Sequence, residues 1–283
     1  MHKFIFLYSL LMLTLAANCQ SVLNSTLLPI PESFSGPLVV GHRGGFDVGL
    51  PENSVLLFDY TLENACRTPI AIEFDVRKSA SGSLYIMHDE TVDRTTNGTG
   101  KISNLQDSYI DTLRLNDRNG TFTSVKIPLF IDILRHFKDK NIILMLDVKG
   151  PIFEEVIKQV KLIQMESKCI LLTFTSENTK LALQVTSKMM ISALVQNHEQ
   201  WNSLLGLNIP SAQLIAYINK DTPEDLVNEI NTKKVLLMTD MSESIRNKSI
   251  HFDAGYYTSL PVNRKIGVII TDYPLFVNNL FCN

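Results

Sequence analysis

The chain has 283 residues, 45% of them hydrophobic, which is enough to bury the core of a full-sized domain of about 250 residues. Its formal net charge is −3 and no cluster of Lys or Arg stands out, so the sequence offers no electrostatic affinity for nucleic acid. We therefore expect a single domain, a monomer, and no nucleic-acid partner.

The first 19 residues predict a secretory signal peptide. Lys3 is followed by an almost wholly apolar run from Phe4 to Ala16 and then by small residues. This run is shorter than a transmembrane helix normally requires. We expect cleavage after Cys19 or at a site one or two residues either way, with lipid modification of Cys19 as the weaker alternative, and a secreted or lumenal, extracellular protein. Residues 20–36 then form an N-terminal extension and residues 37–283 the domain. Asn-x-Ser/Thr triplets fit a glycosylated, exported protein: Asn24, Asn97, Asn119 and Asn247.

Signal cleavage would leave three cysteines, Cys66, Cys169 and Cys282, which cannot all pair. Their wide spacing argues against a metal knuckle. Cys66 lies in a predicted helix and Cys169 at the start of a predicted strand, where cysteines are more often buried structural residues. One bridge is possible, and the sequence leaves its pairing open.

The first predicted unit is a strand, a loop and a helix. The apolar pair Val39-Val40 predicts a buried strand that ends at His42, and a Gly-Gly turn follows it. A helical pattern begins after Asn53 or Ser54, either of which can cap it. His42 is therefore expected at the end of a sheet.

The second predicted strand, Ile70 to Val76, carries two carboxylates. Glu73 and Asp75 are two residues apart and must point to the same side of the sheet. The next strand, Leu84 to Met87, follows too closely for an intervening helix, so we expect a hairpin. This hairpin returns His88 and Asp89 to the neighbourhood of the two carboxylates.

The rest of the chain alternates between helices and strands after a long polar excursion. Residues 90–126 are rich in Asn, Asp, Thr and Gly, and we expect them to pass over the mouth of the fold. Eight strands, not counting the hairpin strand, alternate with helices and permit a closed parallel sheet. The predicted fold is α/β, a TIM (β/α)8 barrel with a hairpin-plus-loop insertion after the second strand. The remaining predicted strands are 142–148, 169–174, 190–195, 213–217, 235–239 and 266–271.

Polar residues cluster at the carboxyl ends of these strands, where TIM barrels place their active sites. Four strands bring a carboxylate to this rim: Glu73 and Asp75, Asp147, Asp240, and Asp272. Hard oxygen ligands of this kind suit Mg²⁺ or Ca²⁺ rather than zinc, and we expect Glu73, Asp75 and Asp147 to bind the ion.

Several strings in the chain resemble the glycerophosphodiester phosphodiesterase family. They are HRGG, PENS, EFDV, MHDETVDRTTNGTG, LDVK and IITDYP, and they run in order from Pro37 to Phe281. The long HD-x-x-x-x-R-T-T-x-G-x-G string is the most specific of them. The resemblance implies a TIM barrel whose mouth binds a divalent ion and cleaves phosphodiesters of the glycerol type, with two histidines as acid and base.

These expectations assign a role to each rim residue. His42 and His88 exchange protons with the attacking and departing oxygens, and which of them is the acid stays open. Arg43 and Lys149 contact the phosphate. We expect three further carboxylates to hold these groups in position without binding the metal themselves: Glu52, Asp89 and Asp272.

The chain departs from the family at two positions. Asp147 stands where the family usually has Glu, and Met238 stands where it usually has Trp, which predicts the loss of an aromatic wall. Phe174 borders the substrate or packs in the core. The expected substrate is a small glycerophosphodiester or a lysolipid, with possible peripheral membrane contact. Two alternatives stay open: a lysophospholipase D or sphingomyelinase D-like enzyme, and a catalytically inactive binding protein on the same barrel.

Overall fold

A closed ring of parallel strands forms the centre of the structure, a computed structural model that describes residues 21–31, 33–242 and 253–282. The strands are β1 (Leu38–Gly41), β2 (Ile70–Lys78), β3 (Leu84–Ile86), β4 (Ile142–Val148), β5 (Cys169–Thr173), β6 (Met190–Leu194), β7 (Leu214–Ile218), β8 (Leu236–Asp240) and β9 (Ile266–Thr271). Their order is β1-β9-β8-β7-β6-β5-β4-β2-β3, and β1 also pairs with β2.

The ring closes at β1. Val40 lies opposite Ala71 of β2 and Ile270 of β9, both in parallel pairs. Eight parallel strands therefore form a barrel, and the predicted TIM barrel is confirmed. The ninth strand, β3, runs antiparallel to the end of β2, with Val76 opposite Ile86.

Helices cover the outside of the barrel. In chain order the helices are α1 (Val55–Asn64), α2 (Asp107–Ile110), which belongs to the insertion after β2, α3 (Phe130–Phe137), α4 (Phe153–Ile163), α5 (Ser176–Val185), α6 (His198–Leu205), α7 (Glu224–Thr232), α8 (Ala254–Asn263) and α9 (Pro274–Asn279). Ser54 caps α1, because its hydroxyl accepts a hydrogen bond from the Leu57 amide. None of the helices in the described ranges is both long and apolar enough to cross a bilayer.

The barrel interior is filled by every second residue of each strand, as the alternation of side chains requires. Val40, Ala71, Met145 and Val268 belong to this interior cluster and are fully buried. Two residues further along the same faces, three of these strands bring polar side chains to the mouth: His42, Glu73 and Asp147. On β9 the next residue on this face is the apolar Ile270, and the polar side chain, Asp272, follows two residues later. The candidate site is therefore the top layer of the barrel interior.

Residues before β1 close the other end of the barrel. Leu23, Leu28 and Phe34 are buried in the same apolar cluster as the barrel interior. Arg67 ties this segment to the body of the fold, since its guanidinium donates to the Ser35 and Pro37 carbonyls and lies 4.4 Å from the centroid of the Phe34 ring. The expected extension 20–36 thus shares one core with the barrel from residue 21 onward.

The insertion after β2 has an apolar core of its own. Its buried members are Tyr85, Met87, Val92, Ile102, Ile110, Leu113, Leu115 and Ile127. The carboxylate of Asp107 fastens this lobe to the hairpin turn, because it accepts hydrogen bonds from the hydroxyls of Ser79 (2.6 Å) and Ser83 (2.5 Å). The long polar stretch is therefore a folded lobe beside the mouth.

A disulfide joins the end of α1 to the C-terminal segment. Cys66 and Cys282 are paired with their Cα atoms 6.3 Å apart, whereas Cys169 is a free, buried thiol at the start of β5. The bridge links two residues that are 216 positions apart in the sequence, so it restricts the conformations of the unfolded chain.

Candidate active site

The turn after β1 places His42 and Arg43 at the mouth. Arg43 has a left-handed backbone (φ 51°) that points its amide at Glu73, and its N–H donates to Glu73 Oε2 at 2.9 Å. A Cβ at Gly45, where φ is +107°, would lie 2.4 Å from Pro274, so only glycine fits the position. The second glycine of the His-Arg-Gly-Gly string is thus a steric requirement of this turn.

Three carboxylates meet above the interior layer. Asp75 of β2 and Asp147 of β4 are direct partners across the parallel pair, and Glu73 lies on the same face as Asp75. Oxygens of Glu73, Asp75 and Asp147 lie within 4.8 Å of one another, and all three side chains are buried. A cluster of buried hard oxygen donors at this spacing fits a divalent ion such as Mg²⁺ or Ca²⁺.

The three buried carboxylates repel one another when they are ionised, and a bound cation would relieve this repulsion. Burial, together with the charges of Asp75 and Asp147, raises the pKa of Glu73 well above its ordinary value. Burial also raises the pKa of Asp147. At Asp75 burial acts in the same direction, but the charges of Lys149, His88 and Arg43 outweigh it and lower the pKa.

Lys149, which we predicted as a phosphate contact, lies against the carboxylates. Its Nζ is 2.5 Å from Asp147 Oδ2 and 3.0 Å from Asp75 Oδ1. Arg43 is further away, with Nε 3.9 Å from Asp75 Oδ2, and that buried Nε has no hydrogen-bond partner. In the described part of the chain no basic side chain forms an ion pair with Glu73. The two aspartates of the trio therefore have basic partners, whereas Glu73 has none among these side chains.

Both imidazoles are held by a carboxylate through the same ring atom. His42 Nδ1 lies 2.7 Å from Asp272 Oδ1, and His88 Nδ1 lies 2.7 Å from Asp89 Oδ1. Arg77 adds a second constraint, because its guanidinium donates to the His88 carbonyl at 2.9 and 2.7 Å. With Nδ1 engaged, Nε2 is the nitrogen that each ring has left for proton transfer. Burial lowers the pKa of His88.

Glu52 belongs to a charge network that links the two histidine loops. It accepts a hydrogen bond from Arg43 Nη1 at 3.0 Å and two from Arg94, at 2.7 and 3.0 Å. Arg94 also donates two hydrogen bonds to Asp89, at 2.6 and 3.0 Å. One continuous chain of ion pairs therefore connects Arg43 to His88. Sequence reasoning missed Arg94, although the arginine of the HD-x-x-x-x-R-T-T string was a signal for it.

Asn53 is a second residue that sequence reasoning missed in this role. Ser54, not Asn53, caps α1, and the Asn53 amide donates to Asp75 Oδ2 at 3.0 Å from a left-handed backbone (φ 56°). Asn tolerates this conformation better than most residues. The amide fixes the orientation of the Asp75 carboxylate.

The two histidines and the carboxylate trio surround one cavity of about 60 Å³. Its opposite wall is formed by Phe174, Tyr217 and Asp240. Phe174 is 41% exposed and packs edge-to-face on Tyr217, with ring centroids 6.3 Å apart, so it borders the cavity and is not a core residue. Met238 is fully buried, one layer below Asp240, and its side chain does not line the cavity.

A closed (β/α)8 barrel with carboxylates and paired imidazoles at its C-terminal mouth has the arrangement of a TIM-barrel enzyme, because active sites of such barrels lie at this face. The sequence profile of the glycerophosphoryl diester phosphodiesterase family matches residues 42–246. The chain belongs to this family.

Individual relatives agree with this assignment. The chain is 29% identical over 166 residues to a glycerophosphodiester phosphodiesterase of Caldanaerobacter subterraneus subsp. tengcongensis, covering 56% of the chain and 67% of the relative. It is 28% identical over 170 residues to human glycerophosphodiester phosphodiesterase 1, covering 58% of the chain but only 49% of the relative. The chain therefore spans about half the length of that human protein.

Solved structures show the same fold. A glycerophosphoryl diester phosphodiesterase from Parabacteroides distasonis superposes with a TM-score of 0.77 at 25% identity, covering 90% of this chain and 88% of the other. An Oleispira antarctica phosphodiesterase in complex with the product sn-glycerol-3-phosphate superposes with a TM-score of 0.67 at 16% identity, covering 88% and 98%.

Proposed function

We propose that this chain is a secreted, divalent-metal-dependent enzyme that hydrolyses glycerophosphodiesters to an alcohol and glycerol 3-phosphate. The observation that carries the proposal is the convergence of three buried carboxylates and two carboxylate-held imidazoles on one cavity. The product seen in the Oleispira antarctica phosphodiesterase supports the choice of substrate.

The metal would be Mg²⁺ or Ca²⁺, held by Glu73, Asp75 and Asp147. When bound, it polarises a phosphoryl oxygen and offsets the negative charge that develops there. Arg43 and Lys149 bind the same phosphate. Arg43 can do so because its Nε is buried without a hydrogen-bond partner, and Lys149 because its ammonium lies between Asp75 and Asp147 at the cavity.

His42 and His88 divide the proton transfers between their Nε2 atoms. One ring accepts the proton of the attacking hydroxyl, and the other donates a proton to the departing alkoxide. Asp272 and Asp89 hold the two rings and stabilise their protonated forms. The attacking hydroxyl is either water or a free hydroxyl of the substrate's own glycerol, and the second route passes through a cyclic phosphate.

The wall opposite the trio would bind the glycerol. Phe174 and Tyr217 offer aromatic surface to its carbon atoms, and the Asp240 carboxylate accepts hydrogen bonds from its hydroxyls. This wall is compact and polar at its edge. Met238 is buried beneath it and adds no apolar surface to the cavity, which favours the small diester over a lipid substrate.

Phosphorus NMR of the products tests the proposal. Glycerophosphoethanolamine and glycerophosphocholine should yield glycerol 3-phosphate, and a cyclic species should appear only if the substrate's own hydroxyl attacks. We expect His42→Ala and His88→Ala each to lose at least about a hundredfold in rate. His136→Ala is the matched control, because that exposed histidine on α3 pairs with Asp59 away from the mouth. Wild-type turnover in either rim variant contradicts the assigned roles.

The secreted location is part of the proposal. The predicted signal peptide, residues 1–19, and the acceptor Asn247 lie outside the described residues. The Cys66–Cys282 disulfide supports an oxidising compartment, and the side chains of Asn24, Asn97 and Asn119 are exposed. N-terminal sequencing of the exported protein and its mobility shift after enzymatic deglycosylation test this location. Cytosolic retention with an intact N-terminus contradicts it.

A further inference from the structure

A second cavity of about 310 Å³ lies beside the candidate active site, between the turn after β1 and the insertion. Two of its wall residues, Phe46 and Glu52, contact residues of the candidate active site. The ring of Phe46 stacks on the imidazole of His42, with centroids 6.3 Å apart and planes 20° apart. Glu52 lines the second cavity and also accepts the hydrogen bond from Arg43. A group bound here would therefore lie one side chain away from His42 and Arg43.

Arg118 is the distinctive side chain of this cavity. Its guanidinium lies 3.2 Å from the centroid of the Phe46 ring and donates to the Gly45 and Phe46 carbonyls, at 2.8 and 3.3 Å. Within the described ranges it forms no ion pair with a carboxylate, whereas Arg94 on the same wall is saturated by Glu52 and Asp89. Burial lowers the pKa of Arg118 to about 10, so the group stays charged at neutral pH.

The hydrogen-bonding capacity of this wall is only partly used by the protein. Arg118 Nε and Asn116 Oδ1 are buried and have no hydrogen-bond partner. The nearby carboxylate of Asp117 is occupied by its own turn, where its Oδ1 accepts from the amides of Asn119 (2.9 Å) and Thr121 (2.8 Å). Buried polar atoms are rarely left unpaired in proteins, and both of these belong to residues that line the cavity, which favours a polar ligand there.

We propose that this cavity receives the departing alcohol of the diester, and that Arg118 binds an anionic oxygen group, a carboxylate or a phosphate, carried by that alcohol. The inference rests on the proposed function and adds a substrate preference to it. The two arms of the diester then lie on opposite sides of the phosphate, glycerol against Phe174 and the alcohol against Phe46. A cavity of about 310 Å³ is large enough for a small polar head group.

A matched pair of substrates isolates the interaction. Glycerophosphoserine and glycerophosphoethanolamine differ by one carboxylate, so the ratio of their kcat/KM values reports its recognition alone. We expect the wild-type enzyme to favour the serine diester by about tenfold, the scale of one charge-assisted hydrogen bond. Arg118→Gln should bring the ratio close to one. Arg114→Gln is the control, since the Arg114 guanidinium, like that of Arg118, donates to backbone carbonyls, but Arg114 lies outside the cavity.

Each outcome decides the inference. A ratio that falls in Arg118→Gln and not in Arg114→Gln supports it. A wild-type ratio near one, or equal losses on both substrates in Arg118→Gln, overturns it while the proposed function stands. If the wild-type enzyme turns over neither diester, the proposed function fails, and calorimetric binding of O-phosphoserine against O-phosphoethanolamine then tests the cavity. The same Arg118-dependent preference is expected there, and its absence overturns the inference.

Discussion

Replacing Asp272 by Asn tests how His42 is held. The Asp272 carboxylate lies 2.7 Å from His42 Nδ1, and the side chains of both residues are largely buried, so this contact is little screened by water. Asn keeps the shape of the side chain but removes its negative charge. It can also donate its amide hydrogens to Nδ1, which favours the wrong tautomer of the ring and leaves Nε2 protonated when the ring should accept a proton.

The expected loss follows from the value of a positioned acid–base group. Such a group contributes roughly 10²–10⁴ in rate, and the substitution weakens it without removing it, so we expect kcat to fall by about 10²–10³. At about 1.36 kcal/mol per factor of ten, this is a rise of about 3–4 kcal/mol in the barrier. Asp89→Asn should cost less, about tenfold, because the His88–Asp89 pair is more exposed to solvent.

The assay is the initial rate of glycerophosphoethanolamine hydrolysis with saturating divalent ion, for the wild-type enzyme, Asp272→Asn and Asp89→Asn. Thermal melting and metal titration of each variant provide the control, since Asp272 is not one of the three predicted metal ligands. A folded, metal-binding Asp272→Asn variant with a rate within about threefold of the wild-type enzyme would refute the reasoning.

The remaining predictions concern the metal site, the charge network and the end of the barrel opposite the mouth. The pKa of the Glu73 carboxyl is higher in the folded state than in the unfolded state. Between these two pKa values the folded protein keeps the carboxyl proton and the unfolded protein loses it, so the free energy of unfolding of the metal-free protein falls as pH rises. Glu73→Gln should flatten this slope, raise the Tm in chelator at pH 8 by at least about 2 °C, and abolish stabilisation by Ca²⁺ in thermal melts; an unchanged slope contradicts the account. Arg94→Gln should lower kcat about tenfold in the hydrolysis assay by releasing the carboxylate that holds His88, and a wild-type rate would exclude this role. Leu23→Ala should cost about 2–5 kcal/mol in urea unfolding, whereas Leu27→Ala, at a side chain 40% exposed in the same segment, should cost about 0.5 kcal/mol or less; equal costs would show that Leu23 is not part of the core.

Much of the fold was predictable because strand alternation and helix periodicity are local signals. The barrel strands agree with their predicted positions within one or two residues. Helix α8 was missed, since Gly255 and Pro261 are poor helix formers and its pattern resembles a loop; the buried side chains of Tyr257 and Leu260 hold it in place instead. No local sequence pattern indicated that Leu23 packs beneath the barrel.

In the candidate site, too, the residues placed by strand patterns were predictable and the contacts made by loops were not. The positions of His42, Glu73 and Asp147 followed from strand ends and alternation, and the structure brings them together. The contacts of Asn53, Arg94 and Arg118 depend on loop geometry, such as a left-handed backbone at Asn53, and a periodic pattern contains no such information. The depth of Met238 in the barrel was not predictable, because a family pattern gives the residue type expected at a position but not its depth.

The most direct test of the central claim is the rate of glycerophosphoethanolamine hydrolysis as divalent ion is returned to chelator-treated protein. We predict no hydrolysis without the ion, saturable recovery with one ion per chain, and no recovery in Asp75→Asn, whose carboxylate lies at the centre of the buried trio. Full activity in the stripped wild-type protein, or recovery in Asp75→Asn at the same ion concentration, would contradict the claim that these carboxylates hold the ion on which phosphodiester cleavage depends.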